Sequence, residues 1–137
     1  MASLSITAAN VALVEHTPMS LQTSKCDVAL TAGVAVRVDA TTGKWIKGDG
    51  NDSAGFKYYV TFTSADDEST LTAARDAIID LGRGVLDSAN FGVPVYVSDT
   101  AGELTLTSGE SSSTIIIGYV VPQWSGGTVN RLLRVVG

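Results

Sequence analysis

The chain has 137 residues and a mass of 14.2 kDa, carries a net charge of −5 with a pI near 4.6, and is 45% hydrophobic but only 17% charged. One domain of that length buries about two-thirds of its unfolded surface without help from a metal or disulfide, and the acidic balance argues against an electrostatic grip on nucleic acid or on an anionic membrane. A charged fraction below the usual value of about 25% suits a subunit that hides surface in a partner, or one kept soluble by Ser, Thr and Gly. Cys26 is the sole cysteine, which rules out an intrachain disulfide and any multi-cysteine metal site; it reads as a small buried hydrophobe.

At the start, Met1-Ala2-Ser3-Leu4-Ser5-Ile6 lacks the basic opening and continuous apolar run of a signal peptide. No segment approaches the roughly 20 apolar residues of a membrane span, so the expectation is a protein made and kept in the cytoplasm. Residues 1–10 read as an N-terminal arm or a first edge strand. His16, the only histidine, stands among Glu15, Thr17 and Pro18 and reads as a turn. From Gly33 to Gly43 valine falls at every second position, the period of a strand burying one face, and Asp39-Ala40-Thr41-Thr42 then reverses the chain. Trp45, just past that turn, is a core candidate. Asp49, Asn51 and Ser53 alternate as oxygens do in an EF-hand loop, but the carboxylate required at its twelfth position is replaced by Val60; an exposed hairpin loop is the default, with an irregular calcium site as the alternative. Residues 56–63 alternate as a half-buried strand with Phe56, Tyr58, Val60 and Phe62 on one face.

Ser64 to Ala77 opens with a capping serine and acids and continues through alanines, which predicts one short helix, although Asp76 to Leu81 also reads as a strand. Leu81-Gly82-Arg83-Gly84 is a bend; it lacks the spacing of a phosphate-binding loop. Gly92 to Gly102 then repeats the pattern of residues 33–43, with Leu104 where Trp45 stands in the first copy. Residues 103–107 alternate cleanly, 108–113 form a loop, and Ile115 to Val121 is apolar on both faces. Such a strand is either central or turned towards another subunit, which makes Ile116 and Tyr119 candidate interface residues. Trp124, in the polar surroundings of Pro122-Gln123 and Ser125-Gly126-Gly127, is a candidate contact anchor, with packing in the chain's own core as the alternative. A last strand covers 128–136.

The fold expectation is all-β: a single domain over 1–137, a sandwich or barrel-like fold with a duplicated hairpin unit and at most one short helix. Gly33, Gly43, Gly92 and Gly102 are its structural turns, and Gly55-Phe56 with Gly118-Tyr119 extends the repeat. No nucleophile elbow, phosphate loop or metal-ligand cluster occurs in the sequence. The reading is a binding or structural module, not an enzyme, without metal or cofactor.

The run Ala32-Gly33-Val34-Ala35-Val36-Arg37-Val38-Asp39-Ala40-Thr41-Thr42-Gly43-Lys44-Trp45, its echo from Phe91 to Leu104, and Ile117-Gly118-Tyr119-Val120 resemble the head decoration, or cement, proteins of tailed bacteriophages. The resemblance covers roughly residues 30–122. It implies a small β-rich subunit that binds the outside of a mature capsid and resists rupture by packaged DNA. The partners it implies are the major capsid protein and two further copies in a homotrimer, with no nucleic acid or membrane, and the location is the outer surface of a virion assembled in the host cytoplasm. In that setting Ile116, Tyr119 and Trp124 are the interface candidates, and residues 1–10 are an arm that orders on the capsid. The other reading is a receptor- or carbohydrate-binding β-module of a tail fibre or spike, with Trp45, Tyr58, Tyr59, Tyr96, Tyr119 and Trp124 as stacking faces.

Overall fold

The two valine-rich repeats fold as hairpins that occupy matching places in two different sheets. In the computed structural model, which describes residues 3–52 and 56–136, eleven strands form two antiparallel sheets packed as a sandwich. They are β1 (Ala12–Glu15), β2 (Leu21–Lys25), β3 (Ala35–Val38), β4 (Trp45–Lys47), β5 (Tyr59–Thr61), β6 (Thr70–Ala74), β7 (Ala77–Asp80), β8 (Pro94–Val97), β9 (Leu104–Thr105), β10 (Ile116–Ser125) and β11 (Thr128–Val135). One sheet has the order β2-β6-β5-β3-β4 and the other β1-β7-β11-β10-β8-β9. The helical content of the described residues is three short 3-10 turns, at 8–10, 18–20 and 108–110.

Register extends the duplication well beyond the hairpins. Val38 pairs with Trp45 and Val97 with Leu104, each 59 positions further on (38 to 97, 45 to 104). The same offset carries Ala35 opposite Val60 to Pro94 opposite Tyr119, and Val36 opposite Tyr59 to Val95 opposite Gly118. Thus β2 through β6 and β7 through β11 are two copies of one five-stranded unit, and β1 is added at the edge of the second. Tyr59-Val60 is therefore the counterpart of Gly118-Tyr119. The expected Gly55-Phe56 equivalence is out of register; Gly55 itself lies outside the described residues, and Phe56 is exposed beneath the Arg37 guanidinium, 4.0 Å from its ring centre.

The two copies stack in the same orientation rather than face to face. Ala35, Val60 and Ala74 on one side of the first sheet join Val95, Val97, Leu104, Val120, Leu133 and Ile79 of the second in one buried cluster. The other side of the first sheet carries a second, smaller cluster of Val36, Trp45, Leu71 and Ala73, closed by Cys26 and Leu30. The segment supplying that cover is fixed by paired backbone bonds between Leu30 and Ala65 and by Cys26 N–H donating to the Ser69 carbonyl. The described residues before β1 lie on the body: Leu4 N–H donates to the Leu104 carbonyl at 2.7 Å, and Leu4, Ile6 and Ala8 pack against the main cluster.

The helix expected over 64–77 is not formed. Ser64 does not cap it; its Oγ accepts from Ala32 N–H at 3.1 Å. Leu71 and Ala73 point into the smaller cluster while Ala74 points into the larger, and a two-sided burial of neighbouring residues needs the strand period of two, not a helical stripe. Positive φ at Glu68 and Asp76, 65° and 57°, bounds the strand at both ends. The strand expected over 56–63 shortens to 59–61, where Thr61 is buried on the face read as polar because its hydroxyl donates to the Thr31 carbonyl at 2.7 Å.

All four repeat glycines have positive φ: Gly33 85°, Gly43 73°, Gly92 85° and Gly102 83°. For the two turn-closing positions the space differs. A Cβ on Gly43 meets nothing within 4 Å, whereas one on Gly102 comes 2.9 Å from Val34 Cγ1 and 3.1 Å from Lys47 Cδ. Gly43→Val is therefore expected to cost about 1–2 kcal/mol from backbone strain alone, and Gly102→Val about 3 kcal/mol from strain plus overlap. Thermal melts of the two variants check the order; parent-like melting of both removes the turn assignment.

Candidate interaction surface

A β-bulge decides which side chains of β10 reach the surface. Between Ile116 opposite Tyr96 and Gly118 opposite Val95, β10 advances two residues while β8 advances one. The extra residue resets the in-out alternation, so Ile117 and Val120 are both buried while Ile116 and Tyr119, three apart, are exposed to 40% and 38% on the outer face. One side of the apolar run lies in the core and the other at the surface. β10 is a central strand as well, flanked by β8 and β11.

Tyr119 belongs to a row of side chains crossing five strands. Glu15 pairs with Ile78, Ile78 with Arg134, Arg134 with Tyr119, and Tyr119 with Pro94. Glu15 and Arg134 are exposed, Ile78 and Pro94 half-buried. Cross-strand neighbours lie about 5 Å apart, so the row is a strip in which apolar Ile78, Tyr119 and Pro94 are interrupted by the Arg134 guanidinium and edged by the Glu15 carboxylate. His16 follows Glu15 and is exposed, lining a shallow cleft with Thr17, Asp76, Ile78 and Arg134.

Trp124 lies in a strand, not in the loop expected for it. The ladder of β10 and β11 continues to Ser125 opposite Thr128, closed by Gly126 and Gly127 with φ of 56° and 86°. Two successive residues with positive φ make the tight I′ turn that matches strand twist, which is why the chain needs no longer loop here. β8 pairs with β10 only up to Tyr119 and β7 with β11 only from Leu133 onwards, so the intervening part of the hairpin is a two-stranded ribbon reaching past the sheet. Near its tip Trp124 is 70% exposed. A large apolar ring with that exposure is available for contact.

Elsewhere several titratable groups are used internally. Asp52 accepts from Arg37 Nε at 3.0 Å and from Asp49 N–H at 3.0 Å, while Asp49 Oδ1 accepts from Asn51 N–H. The loop read as an imperfect calcium site is thus held by its own hydrogen bonds, with Ser53 outside the described residues; among the described residues no cluster of three metal-ligating side chains forms. Burial, followed by the charge of Asp52, pushes the Tyr58 hydroxyl up to about 12. Hydrogen bonds from Ser112 lower Asp99, and burial together with Asp67 raises the Cys26 thiol. A broad hollow is lined by Asp80, Arg83, Asp87 and Arg131, and Arg131 there donates to the Ala89 carbonyl at 2.9 Å.

The surface therefore gathers Ile116 and Tyr119 on one face and sets Trp124 apart on the ribbon. Trp45 and Tyr58, candidate stacking faces in sequence, are buried at 0% and 6% exposure. Glu15, Ile78, Arg134 and Pro94 were not singled out in sequence, because strand pairing alone brings them into one row; of these the 59-residue offset places only Pro94, from Ala35, while Ile78 and Arg134 lie 57 and 60 positions beyond Leu21 and Ala74, and Glu15 on β1 is outside the repeat. No protein-family model, curated protein or solved structure matches the chain.

Proposed function

We propose that this chain is a capsid decoration protein, which binds the outer surface of a mature phage head as a homotrimer and stabilises it against internal pressure. The observation that carries the reading is the exposed ribbon tip: Trp124 stands on a short, glycine-closed hairpin beyond a rigid two-sheet body, as a subunit needs to reach a neighbouring lattice. The sequence resemblance over residues 30–122 supplies the partner, the major capsid protein. Multivalency then lets modest contacts, repeated over the shell, hold it together.

Anything that binds the intact shell but not the ruptured one stabilises the intact one, by an amount growing with occupancy. Capsids lacking the protein should release DNA at lower temperature, and adding it back should restore resistance in a saturable, stoichiometric way. Trp124→Ala should weaken capsid binding about 30-fold or more, the effect of losing an interface anchor worth 2 kcal/mol, with unchanged melting of the isolated subunit. Equal heat resistance of bare and decorated capsids would remove the stabilising role. The glycan-binding alternative retains the exposed Tyr119 and Trp124 but has lost Trp45 and Tyr58 to the interior; binding to a glycan array by a chain that ignores capsids would favour it.

A further inference from the structure

We propose that the outer face of the six-stranded sheet is where a second copy of this chain packs, with Glu15 of one copy against Arg134 of the next. The starting point is the internal repeat. The row Leu21, Ala74, Val60, Ala35 of the first unit is paired strand by strand as Ile78, Arg134, Tyr119, Pro94 is in the second. In the first unit that row lies in the main core, covered by the second sheet. Because the units stack in one orientation, the same row of the second unit faces outward, with nothing among the described residues covering it.

The residues of the outer row suit a copy of the same surface. Ile78, Tyr119 and Pro94, with Ile116 on the same face, supply apolar area. Glu15 and Arg134 sit one strand to either side of Ile78 and carry opposite charges. Among the described residues the ion pairs are Arg37 with Asp52 and Lys44 with Glu68, so Glu15 and Arg134 are both left for a partner. A head-to-tail continuation of the stack is blocked, because the far side of the first sheet is already closed by Cys26 and Leu30. Of the two sheet faces left, the six-stranded one is open and carries both charges needed to complement its own copy. Across such a contact Glu15, on the edge strand β1 of one copy, meets Arg134 of the other, on β11 two strands in from that edge.

This assigns the self-contact within the trimer proposed above and rests on that reading only for the number of copies. Light scattering and sedimentation over a range of concentrations provide the test, applied to the parent chain, E15R, R134E and the double reversal E15R/R134E. Each single reversal sets like charges together and should weaken self-association at least about tenfold, while the double reversal restores it to within about threefold. Both positions are exposed, so the melting temperature should hold at concentrations where the chain is dissociated; if a reversal lowers it there, E15Q and R134Q replace the reversals and should each weaken association about threefold. A parent chain that stays monomeric, singles that associate like the parent, or a double variant without rescue would each overturn the assignment. Rescued association in a protein that ignores capsids removes the capsid reading alone; capsid binding by a protein that stays monomeric removes this one alone.

Discussion

Replacing Trp45 by alanine is expected to cost about 3–5 kcal/mol, the range for emptying a fully buried tryptophan site. Trp45 has no exposed surface and is the largest side chain in the cluster on the far side of the five-stranded sheet. Its ring meets Tyr59 edge-on at 5.2 Å between centres, and its Nε1–H donates to the Leu71 carbonyl at 2.8 Å. Alanine removes both and leaves a cavity walled by Val36, Leu71 and the covering segment with Leu30. Trp45→Phe retains much of the volume and loses mainly the indole donor, so a smaller loss of about 1–2 kcal/mol is expected. Denaturant titration separates the two variants. A Trp45→Ala chain as stable as its parent would show that the second cluster does not hold the covering segment in place.

What the sequence made readable follows from the range of the forces involved. The hairpins at 33–43 and 92–102 are local: alternation and turn glycines sit within a dozen residues of one another, and the pairings of Val38 with Trp45 and Val97 with Leu104 follow directly. Trp45 as core and Ile116 and Tyr119 as surface residues of a two-sided strand were readable for the same reason. The helix over 64–77 was misread because Ser64, Asp66, Glu68 and the alanines carry good local helix signals, whereas the strand is imposed by partners far away in sequence: Val60 and Leu21 on either side of Ala74. Trp124 was assigned to a loop because Pro122 and the paired glycines look like breakers; in a two-stranded ribbon the missing N–H of Pro122 costs little, since it lies where β8 no longer pairs. The row from Glu15 to Pro94 is a product of register and had no local signal at all.

The same-orientation stack also explains an asymmetry between the repeats. The first unit must be apolar on both faces of its sheet, which is why alanine fills Ala35, Ala73 and Ala74, small enough to admit a second layer on either side. The second unit needs one apolar face for the core, and at Arg134 it keeps a charge where the first has Ala74. The duplication is thus one backbone pattern with two burial requirements, and the face freed from burial is the one available for association.

Gly118→Ala is expected to be the most damaging of the glycine substitutions, although Gly118 is not among the glycines with positive φ. It stands where the first repeat has Tyr59, but at the bulge of β10 the backbone of β11 comes so close that a Cβ would overlap the Arg134 carbonyl and lie 2.9 Å from Leu133 Cδ1. A clash with backbone in the middle of a six-stranded sheet cannot be relieved by a side-chain rotation, so the strands must separate or the bulge must move. The expected loss is about 3 kcal/mol or more, which for a domain of this size lowers the melting temperature by roughly 10 °C. Gly43→Ala, where open space surrounds the new methyl group, should lose only about 1 kcal/mol. Shifting the bulge would also turn Ile116 and Tyr119 out of their shared face, so Gly118→Ala should weaken self-association even at temperatures where the variant remains folded. Melting curves and light scattering on the same sample test both effects; a Gly118→Ala chain that melts and associates like the parent would show that β10 and β11 do not approach as described, and with that the row joining Tyr119 to Arg134 would be lost.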